Sequence, residues 1–213
     1  MRSTRKVAWR FALIGFSFVV AACSSPTGSE DNDNTDDTNQ PSLAAGSLVI
    51  NEFMADPAAP VNDDNGEWIE LYVNTTEEIN LNGLVIRDED VNSFTIDSDL
   101  IVQPGDYVLL GRNADTLSNG GVALDYEYTD FTLGNSGSDE IIIESGSVEV
   151  DQVVFDFGTD WSALDASGKS ANLDSSFRNA LTNDSAAAWC NPTNSYDGGN
   201  NFGTPGAANE SCP

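Results

Sequence analysis

Histidine is absent from the chain. That absence removes Ser-His-Asp and Cys-His catalysis, histidine-ligated zinc and an imidazole pH switch. Positive charge is scarce as well: 8 Lys+Arg stand against 35 Asp+Glu, for a net charge of -27. Arg2, Arg5, Lys6 and Arg10 fall in the first ten positions, so beyond residue 22 only 4 cations oppose 35 carboxylates, a net charge near -31. A surface this negative repels phosphate backbones and anionic lipid. Nucleic acid is excluded as a partner, because its binding depends on Lys and Arg displacing condensed counterions. Long apolar runs are missing too. The longest, Phe11–Val20, has ten residues, whereas a membrane-spanning helix needs ~20. What remains is 39% hydrophobic residues, enough for one packed domain.

Basic residues, the apolar run and Val20-Ala21-Ala22-Cys23 follow one another in the three-part layout of a secretory signal. Ala21 and Ala22 before Cys23 resemble the bacterial lipobox, whose cysteine becomes the lipidated first residue of the mature chain. The resemblance implies a cleaved signal over residues 1–22 and a membrane attachment through lipid at Cys23. Stable anchoring follows when two or more acyl chains insert, at ~0.8 kcal/mol per buried methylene. Ser24 where inner-membrane lipoproteins carry aspartate implies the outer membrane of a two-membrane cell. Residues 24–45 have almost no apolar content and carry Glu30, Asp31, Asp33, Asp36 and Asp37. Such a stretch cannot offset its ordering entropy by burial, so residues 23–45 read as the lipidated cysteine and a disordered acidic tether reaching ~25 Å.

From Gly46 onward, short apolar segments alternate with Asn, Asp, Gly and Pro clusters, the pattern of an all-β sandwich. Expected strands are Ser47–Phe53, Glu67–Val73, Leu84–Arg87, Ser93–Ile96, Tyr107–Gly111, Leu124–Tyr128, Glu140–Glu144 and Val148–Phe155. In the second, Ile69, Leu71 and Val73 share one face and Trp68, Glu70 and Tyr72 the other, which marks a central strand. Pro104-Gly105 predicts a tight turn with φ > 0 at the glycine. Glu144-Ser-Gly-Ser147 predicts a hairpin connection. The broken alternation around Asp151-Gln152 predicts a bulge.

Five ordered motifs carry a resemblance: Leu48-Val-Ile-Asn-Glu-Phe-Met-Ala-Asp-Pro57, Gly66-Glu-Trp-Ile-Glu-Leu-Tyr72, Ile79-Asn-Leu-Asn-Gly-Leu84, Pro104-Gly-Asp-Tyr-Val-Leu-Leu110 and Leu133-Gly-Asn-Ser-Gly-Ser-Asp-Glu140. Together they resemble the lamin tail domain. The resemblance implies an immunoglobulin-like β-sandwich, set here at residues 46–165. It also implies a binding or tethering role, secreted or lipid-anchored, alone or attached to extracellular hydrolases. Residues 166–213, with Gly168-Lys-Ser-Ala-Asn-Leu-Asp174, Asn183-Asp-Ser-Ala-Ala-Ala-Trp-Cys190 and Gly203-Thr-Pro-Gly-Ala-Ala-Asn209, are similar to the tail that follows many bacterial copies. They are expected to pack on the sandwich as an irregular extension. With Cys23 taken by lipid, Cys190 and Cys212 are left to form a disulfide in an oxidising compartment, the alternative being two free thiols.

Candidate chemistry is sparse. Asp56, Asp63, Asp64, Asn65 and Glu67 cluster between the first two strands as possible oxygen ligands for calcium, against the plainer reading of a solvated acidic turn. They do not form a calcium helix-loop-helix, since Gly66 at its sixth position would put Val61 first and Tyr72 twelfth. Glu67 and Glu70, three apart on a strand, point to opposite faces and cannot act as acid and base on one bond. Glu52 and Glu70 stay possible partners across neighbouring strands. Tyr126 and Tyr128 share a face and are the best candidate for an exposed ligand-stacking pair. Arg87, Arg112, Lys169 and Arg178, the only cations after residue 22, read as structural ion-pair partners. No cofactor is required. The expected product is a non-enzymatic cell-surface lipoprotein whose partner is a protein or polysaccharide of the envelope. The competing expectations are a calcium-dependent extracellular hydrolase or its accessory subunit, and a self-associating structural envelope protein.

Overall fold

A computed structural model describes residues 42–213. The expected signal, Cys23 and most of the acidic tether lie outside the described residues. Among these residues twelve strands form: β1 (Leu48–Met54), β2 (Trp68–Val73), β3 (Ile79–Asn80), β4 (Leu84–Arg87), β5 (Ser93–Thr95), β6 (Ile101–Val102), β7 (Tyr107–Gly111), β8 (Tyr126–Glu127), β9 (Ser138–Ser145), β10 (Val148–Asp156), β11 (Ala171–Leu173) and β12 (Trp189–Cys190), with one α-helical turn, α1 (Asp63–Gly66), and two 3-10 turns at Ser175–Phe177 and Ala186–Ala188. They build a six-stranded sheet in the order β12-β11-β1-β2-β7-β8, a four-stranded sheet in the order β10-β9-β4-β5, and a small β3-β6 pair. This is an immunoglobulin-like β-sandwich.

Its core follows from period-two alternation. Ile69 and Leu71 of β2 meet Ile86 of β4 and Ile141 and Ile143 of β9 in one buried cluster. Each such side chain, fully buried, contributes about 1.5–3 kcal/mol. As expected, β2 is central, with β1 and β7 antiparallel on either side. Its other face is buried as well. Trp68 packs there with Met54, Leu109 and Val122 in a second cluster that Tyr196 covers from the C-terminal region.

The turn at Pro104-Gly105 is present, with Gly105 at φ 90. The hairpin between β9 and β10 turns at Gly146, at φ 61. The β10 irregularity falls between Glu149 and Asp151, close to its expected place. A second one was not expected. Ile50 pairs with Leu71 and Glu52 with Glu70, so Asn51 is an extra residue in β1.

The C-terminal region is less irregular than the sequence indicates. β11 pairs with β1 through Glu52↔Asn172 and Phe53↔Ala171, and β12 pairs with β11. Strands of two or three residues are too short for alternation to be read, and long-range pairing supplies their order instead. Trp189 of this region and Trp161, which precedes it, join Phe53 and Phe155 in the core, with ring centroids 5.4 Å apart between the two tryptophans. Cys190 and Cys212 form a disulfide across 22 positions, tying β12 to the end of the chain.

Candidate functional site

The acidic segment between β1 and β2 folds into α1, whose N-cap Asn62 accepts from the Asn65 amide. Its polar side chains disperse onto separate partners. Asp63 accepts from the Asn135 amide at 2.8 Å, and Asn65 from the Asn113 amide at 2.7 Å. Asp64, 80% exposed, pairs with Arg112 at 2.9 Å, an exposed contact worth ~0–1 kcal/mol. Asp56 offers its backbone carbonyl to the Gly168 N–H. Glu67 is buried. It accepts from the Leu133 N–H at 3.1 Å and faces Arg112 at 3.4 Å. Burial raises its carboxyl to about 7, against the lowering effect of the Leu133 amide and Arg112. The fold therefore joins Asp64 and Glu67 through Arg112. Among the described residues, no three Asp, Glu or Cys side chains gather in a group that could hold a metal.

The opposite face of β2 holds a second set of carboxylates. Glu52 and Glu70 stand directly across from each other on β1 and β2, both fully buried. Most of the residues that satisfy them come from the C-terminal region. Glu52 accepts from the Ser170 hydroxyl and from the Thr204 N–H and hydroxyl, the last at 2.7 Å. Glu70 accepts from the Gly206 N–H at 2.6 Å and the Asn51 amide at 2.7 Å. Asn51 also donates to Asn209, which donates back to the Asn51 and Leu173 carbonyls. The extra residue in β1 is what lets Asn51 and Glu52, neighbours in sequence, both reach this network. Gly203 admits the close approach, since a Cβ there would lie 2.7 Å from Glu52 Oε1.

Burial raises both carboxyls, Glu70 to about 8 with Glu52 as the next contributor. Glu67 and Glu70 thus lie on different sides of the sheet, as their spacing requires. The cross-strand pair of Glu52 and Glu70 does exist, but its oxygens are closed in by donors from the chain itself, Asn51, Ser170, Thr204 and Gly206. Asn51, Ser170, Thr204, Gly206 and Asn209 were not singled out from the sequence as partners of these glutamates. The Gly203–Asn209 motif was the available signal, though nothing in it says what it touches.

The tyrosine pair requires a correction. Tyr126 and Tyr128 do share a face, but that face is turned inward onto Phe94 of β5. Tyr128 stacks on that ring at 4.3 Å and is 2% exposed. Its hydroxyl has no hydrogen-bond partner among the described residues, and burial pushes the phenol up. Tyr126 stacks at 6.2 Å and donates to the Thr95 carbonyl and Asp97. The edge of β8 lies beside that of β5, so the Tyr128 ring is closed into the sandwich, while Tyr126 stays half-buried and lines a groove of about 530 Å³ between the two edges.

The cations divide into two kinds. Arg87 pairs with Glu144 at 2.7 Å, and Arg112 serves Asp64 and Glu67. Arg178 instead stacks on Tyr72, 3.7 Å from the ring centroid, and donates to the Tyr107 hydroxyl. Lys169 sits over Phe202 and donates to the Pro192 carbonyl.

The family model of the Lamin Tail Domain matches residues 41–187. No curated protein matches the chain.

Proposed function

The chain belongs to the lamin tail domain family, and from that premise we propose that it is a non-catalytic binding or tethering module displayed outside the cytoplasm. The observation that carries this reading is the state of its buried carboxylates. Glu52, Glu67, Glu70 and Asp151 are buried carboxylates whose environment could tune an acid or base, and each accepts at least one backbone N–H inside the fold. They hold backbone together and leave no oxygen aimed at an open cleft.

The disulfide fits an oxidising compartment. No helix among the described residues is long and apolar enough to cross a membrane. Attachment in this reading falls to lipid at Cys23, on the outer membrane, with the acidic tether carrying the sandwich away from the bilayer. The partner is a protein or polysaccharide of the envelope.

The test is sedimentation of the full chain, held in detergent, with envelope from the source cells, once with calcium and once with chelator. Saturable binding in both conditions is the expected result. Binding lost in chelator would revive a calcium site at Asp56, Asp63, Asp64, Asn65 and Glu67. Absence of binding, or turnover of glycans or phosphodiesters by the purified chain, would overturn the reading. Mass growing with concentration in light scattering would replace it with self-association.

A further inference from the structure

β10 is the longest strand among the described residues and an edge of its sheet. Its first half is covered, because Gly46 N–H donates to the Val150 carbonyl and Ile50 N–H to Asp151. Its second half is only partly covered, the outward Asp156 carbonyl accepting from the Thr159 and Trp161 N–H groups. Phe157 N–H donates to Gly137 on the β9 side, and backbone groups of successive strand residues point in alternate directions. Phe155 and Val153 therefore face β9, while the N–H and C=O of Val154 point away from it, with no partner among the described residues. The Val154 side chain is 50% exposed. Most edges in this fold are blunted by being two or three residues long. This one is not.

Beside the open edge lies a groove of about 720 Å³ between Val154–Asp156 and the 184–187 turn, with Trp161 in its lining. Its charged lining is acidic throughout: Asp156, Asp160 and Asp184. Asp156 is engaged with Gly158 and Thr159. Asp160 and Asp184 are exposed and have no hydrogen-bond or ion-pair partner among the described residues.

We propose that the open edge of β10 and this groove take an extended, lysine- or arginine-bearing segment of a partner protein, which adds a strand beside Val154 and sets cations against Asp160 and Asp184. Backbone pairing supplies affinity in such strand addition and the flanking side chains supply selectivity. Charge selects the occupant. A second copy of the chain and the acidic tether would both bring carboxylates to an acidic groove, and the cations of residues 2–10 belong to the segment expected to be cleaved. The proposal rests on the binding-module reading and assigns that module its site.

The experiment measures fluorescence anisotropy of a blocked peptide alternating lysine and valine, titrated with the full chain in detergent. Saturable binding is expected. Val154→Pro removes the N–H at a position where an edge strand tolerates proline, and binding should weaken about tenfold or more. N-methylating alternate amides of the peptide should do the same to the unaltered protein, so the test survives if the proline variant fails to fold. Asp160→Asn with Asp184→Asn should weaken binding about tenfold at low salt and less at high salt. Equal binding of a glutamate-valine peptide, or indifference to both N-methylation and Val154→Pro, would overturn the proposal in favour of simple charge attraction. A dimer dispersed by Val154→Pro would overturn it in favour of self-pairing. Envelope sedimentation that survives Val154→Pro would leave the module reading standing and remove this site from it.

Discussion

Glu52 lies opposite Glu70 in the β1–β2 ladder, and the N–H groups that satisfy the two carboxylates belong to Thr204 and Gly206, 152 and 136 positions away. A pair of buried acids is thus the latch that holds the C-terminal segment on the outer face of the large sheet.

Stability should fall as pH rises from mildly acidic to mildly alkaline. Glu70 is raised to about 8, Glu67 and Asp151 to about 7, and Glu52 is raised as well, in each case chiefly by burial. A folded value above the unfolded one means the contribution is fully present below about 4.5 for Glu, or 3.8 for Asp, and is lost as pH climbs through 7 and 8. Each unit is worth ~1.4 kcal/mol. Thermal unfolding at pH 5 should occur at a clearly higher temperature than at pH 9. A flat or rising profile would contradict burial of these acids.

Asn209→Ala removes two donations to backbone carbonyls and the acceptor for Asn51. Leaving buried groups unpaired costs ~1–3 kcal/mol each, so urea unfolding should show a loss of about 2–3 kcal/mol. Gly203→Ala should act in the same direction, because its Cβ meets Glu52.

Replacing Cys190 and Cys212 with serine opens a 22-position loop. In the chain-entropy model this loses roughly 3 kcal/mol. Calorimetry should show it, and reductant should produce a similar drop in the unaltered chain.

Tyr128→Phe separates a core role from a ligand-stacking one. It deletes a buried hydroxyl that has no partner and keeps the ring on Phe94. Stability should rise by about 1 kcal/mol, with envelope binding unchanged. Weaker binding at unchanged stability would restore Tyr128 as a contact residue.

By itself the sequence determined what depends on neighbours along the chain. Alternation in Trp68–Val73 revealed a central strand and placed Glu67 and Glu70 on opposite sides, because successive side chains point in opposite directions whatever the surroundings. Pro104-Gly105 specified its own turn, and cysteine count left Cys190 with Cys212. Alternation also put Tyr126 and Tyr128 on one face, but it carries no sign, and only the position of Phe94 across the sandwich decided that this face points inward. The extra residue at Asn51, the short strands β11 and β12, and the Thr204–Gly206 latch were settled by tertiary structure alone. Each is fixed by backbone pairing between residues far apart in sequence, and a short polar segment shows no local sign of which distant donors or acceptors will complete it.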